Sequence, residues 1–411
     1  MNEIGLRALS GFGFFVLLAI CWLVSSNRSA IDRRLVGLGI LMQFGLAILL
    51  LATPIGEFFF VFVEIPVEVL IAVTQQGVEF VFGPLAHVGN SFALGVLPII
   101  IFMGSLFGIL YHLGWIQPVV HGLARGLART LRLSGAEALA AIANLFVGLI
   151  ESGVVIRPYL ARMTHSELFT FMTLGMSTIA GSVLIAYVTI LGGGDFAGHL
   201  VVASLISAPA ALVVAKIMIP ETETPETLGS APPLEMEPSS SLIDAAAEGG
   251  MIGMRLALNI GALLIAFVAL VALANTFIGA FAGLFGHPDL TLQALLGYLM
   301  APVALLMGIP WNEAFEVGSL IGLKTIVNEF VAYEALARAM SDGLLSDRSA
   351  IIASYALCGF ANFGSLAILL GGIHGIAPER RSEAAELGLR SILAGTLATC
   401  MTGCLAGLLT G

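Results

Sequence analysis

Charge is what this 411-residue chain lacks: Asp, Glu, Lys and Arg together make up 11% of it, against about a quarter in soluble globular proteins. With 58% hydrophobic residues and a mean hydropathy of +1.01, the composition describes an integral membrane protein. Cysteine is also scarce. Cys21, Cys358, Cys400 and Cys404 fall in apolar segments without metal spacing, so buried free thiols are expected. Basic excess is missing, and a formal charge of −10 excludes nucleic-acid binding. So is β-barrel alternation; the long continuous apolar runs are helices. The first of them, Gly11 to Val24, lacks both a basic leader and a small-residue cleavage site, and is expected to remain as a helix. What the chain has in plenty is glycine, 48 residues of it, which suits close helix packing and broken helices in lipid.

Two spans open the chain, from Leu9 to Ser25 and from Leu35 to Ala52. Arg28, Arg33 and Arg34 between them place that loop in the cytoplasm and the N-terminus outside. From Pro54 to Pro84, Glu57, Glu64, Glu68, Gln75 and Glu79 recur at near-helical spacing, predicting an external amphipathic helix whose acids form a solvated face. A third span, Phe92 to Leu113, leads into an interfacial cytoplasmic helix at Val119 to Leu131, with apolar and arginine stripes on opposite sides. Capping boxes at Ser134 to Glu137 and Thr164 to Glu167 start two more helices. The apolar run between them is broken at Asn144 and Gly148 to Gly153. Each limb is shorter than the roughly twenty residues of a crossing, which predicts a re-entrant hairpin. The next helix carries Ser177 to Ser182 in mid-membrane, read either as an unwound segment or as a small-residue packing face. A further span ends near Lys216, and Pro220 to Gly249 reads as a flexible cytoplasmic loop.

The second half begins with a span from Ile252 to Phe285 and a short apolar segment from Leu290 to Met307. Then comes Ile321 to Tyr333, where Lys324, Asn328 and Glu329 stand in an otherwise apolar region. A carboxylate at that depth is costly unless it faces a partner or a watery cavity, so Glu329 is a functional-site candidate. Lys324 is open to three partners: Glu316, Glu329, or free carbonyls at a hairpin tip. The span Ile351 to Leu370 is interrupted at Gly359 to Ser365, Pro378 to Arg381 is a basic inside loop, and Leu387 to Leu409 closes the chain with its C-terminus outside. His87, His121, His165, His199 and His287 fall near element boundaries and are expected to face water or headgroups.

Laid side by side, each half has an interfacial helix, a hairpin with a mid-depth glutamate (Glu151, Glu329), a span with a small-polar interruption and a closing span. The first hairpin enters from inside and the second from outside. Inverted repeats with broken helices that meet at mid-membrane mark a secondary transporter. The organisation expected is N-terminal scaffold helices with the external helix (1–115), a first transport repeat (116–217), the loop (218–250), a scaffold helix (251–287) and a second transport repeat (288–411). An intramembrane enzyme using Glu151 and Glu329, with His112 or His374 assisting, finds no nucleophile motif or metal triad to support it. A channel is disfavoured by the opposed hairpins.

The residues Gly308-Ile-Pro-Trp-Asn-Glu-Ala314, Asn328-Glu-Phe-Val-Ala-Tyr333 and Ser354 to Phe363, with weaker matches at Val96 to Phe102, Tyr111 to Gly114, Arg157 to Tyr159, Ile179 to Leu184 and Leu256 to Gly261, resemble the concentrative nucleoside transporters. The resemblance runs in order from Phe92 to the C-terminus. It implies an all-α polytopic protein of about eight spans, with two opposed re-entrant hairpins and interfacial helices. It also implies a homotrimer in the cytoplasmic membrane, an elevator-type transport domain, and symport of a nucleoside with sodium or protons. Carried over residue by residue, Glu329 accepts from sugar hydroxyls, Asn362 and Ser365 complete that cluster, and Phe360 lies against the substrate. Sodium falls to Asn144, Thr178 and the carbonyls of Val147 and Ile179.

The first hairpin departs from the family pattern. Gly148-Leu-Ile-Glu-Ser-Gly153 stands where a Gln and a Ser or Thr commonly meet the nucleobase. Here those positions are Leu149 and Ile150, which cannot hydrogen-bond, while Glu151 remains and Val183 matches a base contact. A polar base edge buried without its partner loses about 1–3 kcal/mol per group. Two readings follow: a nucleoside transporter with altered base preference, or a same-fold symporter for another hydroxylated or aromatic solute.

Overall fold

The computed structural model describes residues 2–87, 91–229 and 239–410, with the side chains of His87, Ile150 and Glu151 outside the described set. Helices α1 (Glu3–Leu23) and α2 (Arg33–Leu51) start on side-chain caps, Asn2 accepting from Gly5 N and Asp32 from Arg34 N and Leu35 N. Helix α3 (Pro54–Phe82) begins on a proline at its first turn and continues through Pro66. Its acids are not simply a solvated face. Phe60 lies against Gly198, and Glu64 and Glu68 crowd Gly194, so the helix rests on the rest of the protein through these side chains. The third span is split at Val96 into a single turn, α4 (Phe92–Gly95), and α5 (Leu97–His112), which carries Pro98 in its first turn. Helix α6 (Ile116–Leu131) buries Val120, Leu127 and Leu131 of its expected apolar stripe and exposes Arg125 and Arg129, but Leu123, expected on that stripe, is exposed and Ala124 is buried in its place.

Both capping boxes form as read. Ser134 and Glu137 open α7 (Gly135–Phe146), which is followed by α8 (Leu149–Val155) and the short α9 (Arg157–Leu160). Thr164 and Glu167 open α10 (His165–Ser177), which breaks before α11 (Gly181–Ile190) and is followed by α12 (Asp195–Met218). The interruption is therefore an unwound segment, confined to Thr178 to Ala180. Lys216, buried near the end of α12, ties the two capped starts together. Its Nζ pairs with Glu137 at 2.5 Å and Glu221 at 3.4 Å and donates to Ser166 Oγ at 2.9 Å.

The segment expected as a flexible loop is built at both ends. Thr227 accepts from Gly135 N through its carbonyl (2.9 Å) and from Ala136 N through Oγ1 (3.0 Å), and Glu226 pairs with Arg162 at 2.8 Å. These contacts satisfy amide groups at the start of α7 that its own helix leaves free. At the other end, α13 (Leu242–Gly283) starts ten residues before the expected span and runs for 42 residues. Gly104 and Gly108 on α5 face Gly249 and Gly253 on α13 so closely that a Cβ at any of the four would press into the opposing backbone.

Helices α14 (Leu292–Leu306) and α15 (Trp311–Ile326) meet at a bend of 117°, turned at Gly308, whose φ of 83° favours glycine. They are followed by α16 (Glu329–Ser341), α17 (Asp347–Leu357), α18 (Phe363–Ile376) and α19 (Arg381–Leu409). Among the described residues, seven helices are long and apolar enough to cross a bilayer, or eight if the bent pair counts as one span, and no strand is present. The helices α10, α12 and α19 are buried along most of their length, whereas α13 fully buries only one narrow face within the single chain. All four cysteines are free and buried. His199 differs from its expectation: half-buried, it packs edge-on to Phe60 and lies 3.2 Å from the Tyr355 hydroxyl. It sits one turn inside α12, where α3 covers it.

Candidate substrate and cation sites

Two helix starts build the first site. Helix α15 ends at Ile326, and Asn328 then adopts an extended backbone and caps α16, its Oδ1 accepting from Val331 N at 3.0 Å. Glu329 thereby becomes the first residue of α16, at the helix end that favours negative charge. Asn362 repeats the device on α18, its Oδ1 accepting from Ser365 N at 2.7 Å. Its amide group is left to donate from Nδ2 to Glu329 Oε2 at 2.7 Å. The other carboxylate oxygen, Oε1, accepts from the Tyr187 hydroxyl at 2.9 Å. Glu329, 3% exposed, is held on both oxygens by neutral donors.

A narrow cleft with about 40 Å³ of free space opens beside this cluster. Asn328, Glu329, Asn362 and Ser365 form its polar wall; Ile260, Leu263 and Phe267 of α13 form an apolar one. Such a cleft can orient a small hydroxylated ring. A carboxylate with spare lone pairs and neighbouring amide and hydroxyl groups would meet its polar edge.

The second site lies at the other hairpin. Gly148, at φ 109°, makes the turn between α7 and α8. Asn144 Nδ2 donates to Thr178 Oγ1 at 2.6 Å and to Leu174 O at 3.2 Å, and Thr178 Oγ1 donates to Leu174 O at 2.9 Å. Asn144 is 1% exposed, yet its Oδ1 has no hydrogen-bond partner. A buried acceptor left open costs free energy unless something donates to it or coordinates it. Nearby, Ile179 exchanges contacts of 3.4 Å with Ser204 Oγ through both its N–H and its carbonyl.

Of the residues predicted from sequence, Glu329, Asn362 and Ser365 line the cleft, and Asn144 and Thr178 are joined by a hydrogen bond. Leu149, Val183 and Phe360 are buried but do not line it. Leu149 turns its side chain onto Gly175 of α10, where a Cβ would collide with it. The expectations for Ile150 and Glu151 concern side chains outside the described set. Lys324 pairs with neither glutamate. It donates to Ala356 O at 2.8 Å and to Thr399 Oγ1 at 3.1 Å.

Sequence reasoning missed Tyr187. Its ring stacks on Tyr333 with centroids 4.7 Å apart and meets Phe330 edge-on at 4.8 Å, which aims its hydroxyl at Glu329. A phenol in an apolar helix needs a polar partner, and one turn after Val183 that need was the available signal. The α13 wall was also missed, because nothing local in an apolar span says which face meets a distant hairpin.

The profile "Na+ dependent nucleoside transporter C-terminus" matches residues 199–407, the corresponding N-terminus profile residues 12–85, and "Nucleoside recognition" residues 93–194. The chain is 45% identical to the uncharacterized transporter YutK of Bacillus subtilis, over 96% of this chain and 98% of that one. It is 37% identical to the nucleoside permease NupC of Helicobacter pylori, over 97% of each. A solved structure of CNTnw in an inward-facing, substrate-bound state superposes with a TM-score of 0.92 at 41% identity, covering 100% of this chain and 98% of the other. Identity at this level over whole chains, together with the shared fold, settles the relationship: the chain belongs to the concentrative, sodium-dependent nucleoside transporter family.

Proposed function

We propose that this protein imports nucleosides across the cytoplasmic membrane by sodium symport. The carrying observation is the Glu329 carboxylate, pinned by Tyr187 and Asn362 at the edge of a narrow cleft with one polar and one apolar wall. Vicinal ribose hydroxyls would donate to its remaining lone pairs, with Asn362 and Ser365 completing the sugar end; such charge-assisted bonds are strong at low dielectric. Phe360, Val183 and Glu151 belong to the rest of the substrate path in this reading. The coupling ion is cargo, held by Asn144, Thr178 and the carbonyls of Val147 and Ile179. The unpartnered Asn144 Oδ1 fits a hard cation that takes oxygen ligands.

The transport repeats move together as an elevator against scaffold helices, three copies forming a homotrimer with both termini outside. The exposed faces of α13 suit lipid or subunit contact. The base end differs from the family pattern. Leu149 packs on Gly175 and leaves no hydrogen-bonding side chain at its position, while the sugar-end residues Glu329, Asn362 and Ser365 are all present at the cleft, which favours altered base preference over a wholly different solute.

The test is uptake of labelled uridine and adenosine into proteoliposomes under an inward sodium gradient, with choline or a proton gradient as controls. Sodium-driven accumulation supports the reading. Absence of uptake or cross-competition for any nucleoside refutes the substrate, and uptake that follows protons alone refutes the ion. Tyr187→Phe separates positioning from packing: the ring stack stays, but one donor to Glu329 is lost. Nucleoside affinity is expected to fall about 5–10-fold, the worth of one hydrogen bond of ~1 kcal/mol. Calorimetry that finds wild-type affinity would remove Tyr187 from the site.

A further inference from the structure

Lys324 is a buried cation that the proposed transport cycle leaves unused. It is fully enclosed, in the first limb of the second hairpin, and among the described residues it makes no ion pair. Its partners, the Ala356 carbonyl and the Thr399 hydroxyl, are neutral. An unpaired ammonium in a membrane interior is expensive unless it meets fixed negative potential. Ala356 supplies some: it lies in the last turn of α17, which ends at Leu357 where the span breaks. The last carbonyls of a helix lack intrahelical partners and carry its negative end.

The two hairpins share a register at this point. Their first limbs end at Phe146 and Ile326, and their second limbs begin at Leu149 and Glu329. Asn144 and Lys324 each stand two residues before the end of the first limb. Each also reaches a carbonyl in the last turn of the broken span beside it, Asn144 to Leu174 of α10 and Lys324 to Ala356 of α17. The first half therefore presents a neutral amide with an open oxygen, and the second an ammonium, at matching places against matching helix ends.

We propose that the Lys324 ammonium is a resident cation, holding in the second half the position against a broken helix that the coupling ion takes in the first. The inference rests on the sodium reading given above. The second break is then neutralised permanently and its tip stays formed without an ion, whereas the first tip is completed only when an ion binds. Coupling is thereby confined to the first half. Removing the ammonium opens a place for a monovalent cation beside Ala356 O and Thr399 Oγ1.

The experiment is thermal unfolding and nucleoside binding of purified full-length Lys324→Gln and wild type, titrated with sodium chloride against choline chloride at constant ionic strength. The variant is expected to depend more steeply on sodium, its logarithmic slope rising by about one ion relative to wild type. A folded variant with the wild-type slope overturns the proposal and leaves the coupling reading intact; a wild type indifferent to sodium overturns both. If Lys324→Gln does not fold, the reciprocal Asn144→Lys decides. Nucleoside stabilisation that becomes equal in sodium and choline supports a tethered cation. Undiminished sodium dependence, or no stabilisation in either salt, overturns it.

Discussion

Glu329→Gln is expected to lower nucleoside affinity by about 10–10³-fold, one charge-assisted hydrogen bond of about 1.5–3 kcal/mol being lost and a second weakened to a neutral one of about 1 kcal/mol. The substitution is nearly isosteric, and the surrounding bonds show why the fold should survive it. Asn362 Nδ2 can still donate to the remaining amide oxygen, while the Tyr187 hydroxyl can reverse and accept from the new NH₂. What is lost is the charge, and with it one acceptor for the sugar. Calorimetry should therefore show wild type strongly preferring a ribonucleoside to its 2′,3′-dideoxy counterpart, with the variant treating the two alike. A variant that keeps both wild-type affinity and that preference would show that Glu329 does not bind the sugar.

Asn144→Ala carries the second large effect, on sodium. It removes the unpartnered Oδ1 together with the amide that joins Thr178 and Leu174. Outer partners of metal ligands typically cost about 10–100-fold in affinity when removed, so loss of a direct oxygen ligand is expected to weaken sodium by at least about tenfold. In uptake assays the half-saturating sodium concentration should rise by that factor, while nucleoside affinity at saturating sodium stays within a few-fold of wild type. An unchanged sodium dependence in a folded variant would place the ion elsewhere.

Much of the architecture was legible because lipid allows few solutions. Both capping boxes, the limbs too short to cross, the interfacial arginine stripe and the glycine-broken spans are local patterns with local physical causes. The interrupted span at Ser177 to Ser182 is a boundary case. Sequence left it balanced between unwinding and simple packing, and the structure breaks the helix there. Ends were read less well. Helix α13 begins at Leu242, within a stretch whose neighbours in sequence are polar, and Glu226 and Thr227 dock on Arg162 and on the start of α7 through contacts that no local pattern announces.

Glu329 could be singled out from the chain alone, since an ionisable group in an apolar run is conspicuous whatever surrounds it. Sequence by itself determined that this is a polytopic helical membrane protein with two opposed, glutamate-bearing hairpins. Tertiary structure decided which groups face that charge: Tyr187 and Asn362 rather than Lys324, which instead closes the broken end of α17. It also decided that Leu149 turns onto Gly175 and away from the cleft. The physical reason is the same in each case. Helical period and hydropathy report the demand of a buried polar group for a partner, but the partner is supplied by elements tens or hundreds of residues away, and only their packing chooses it.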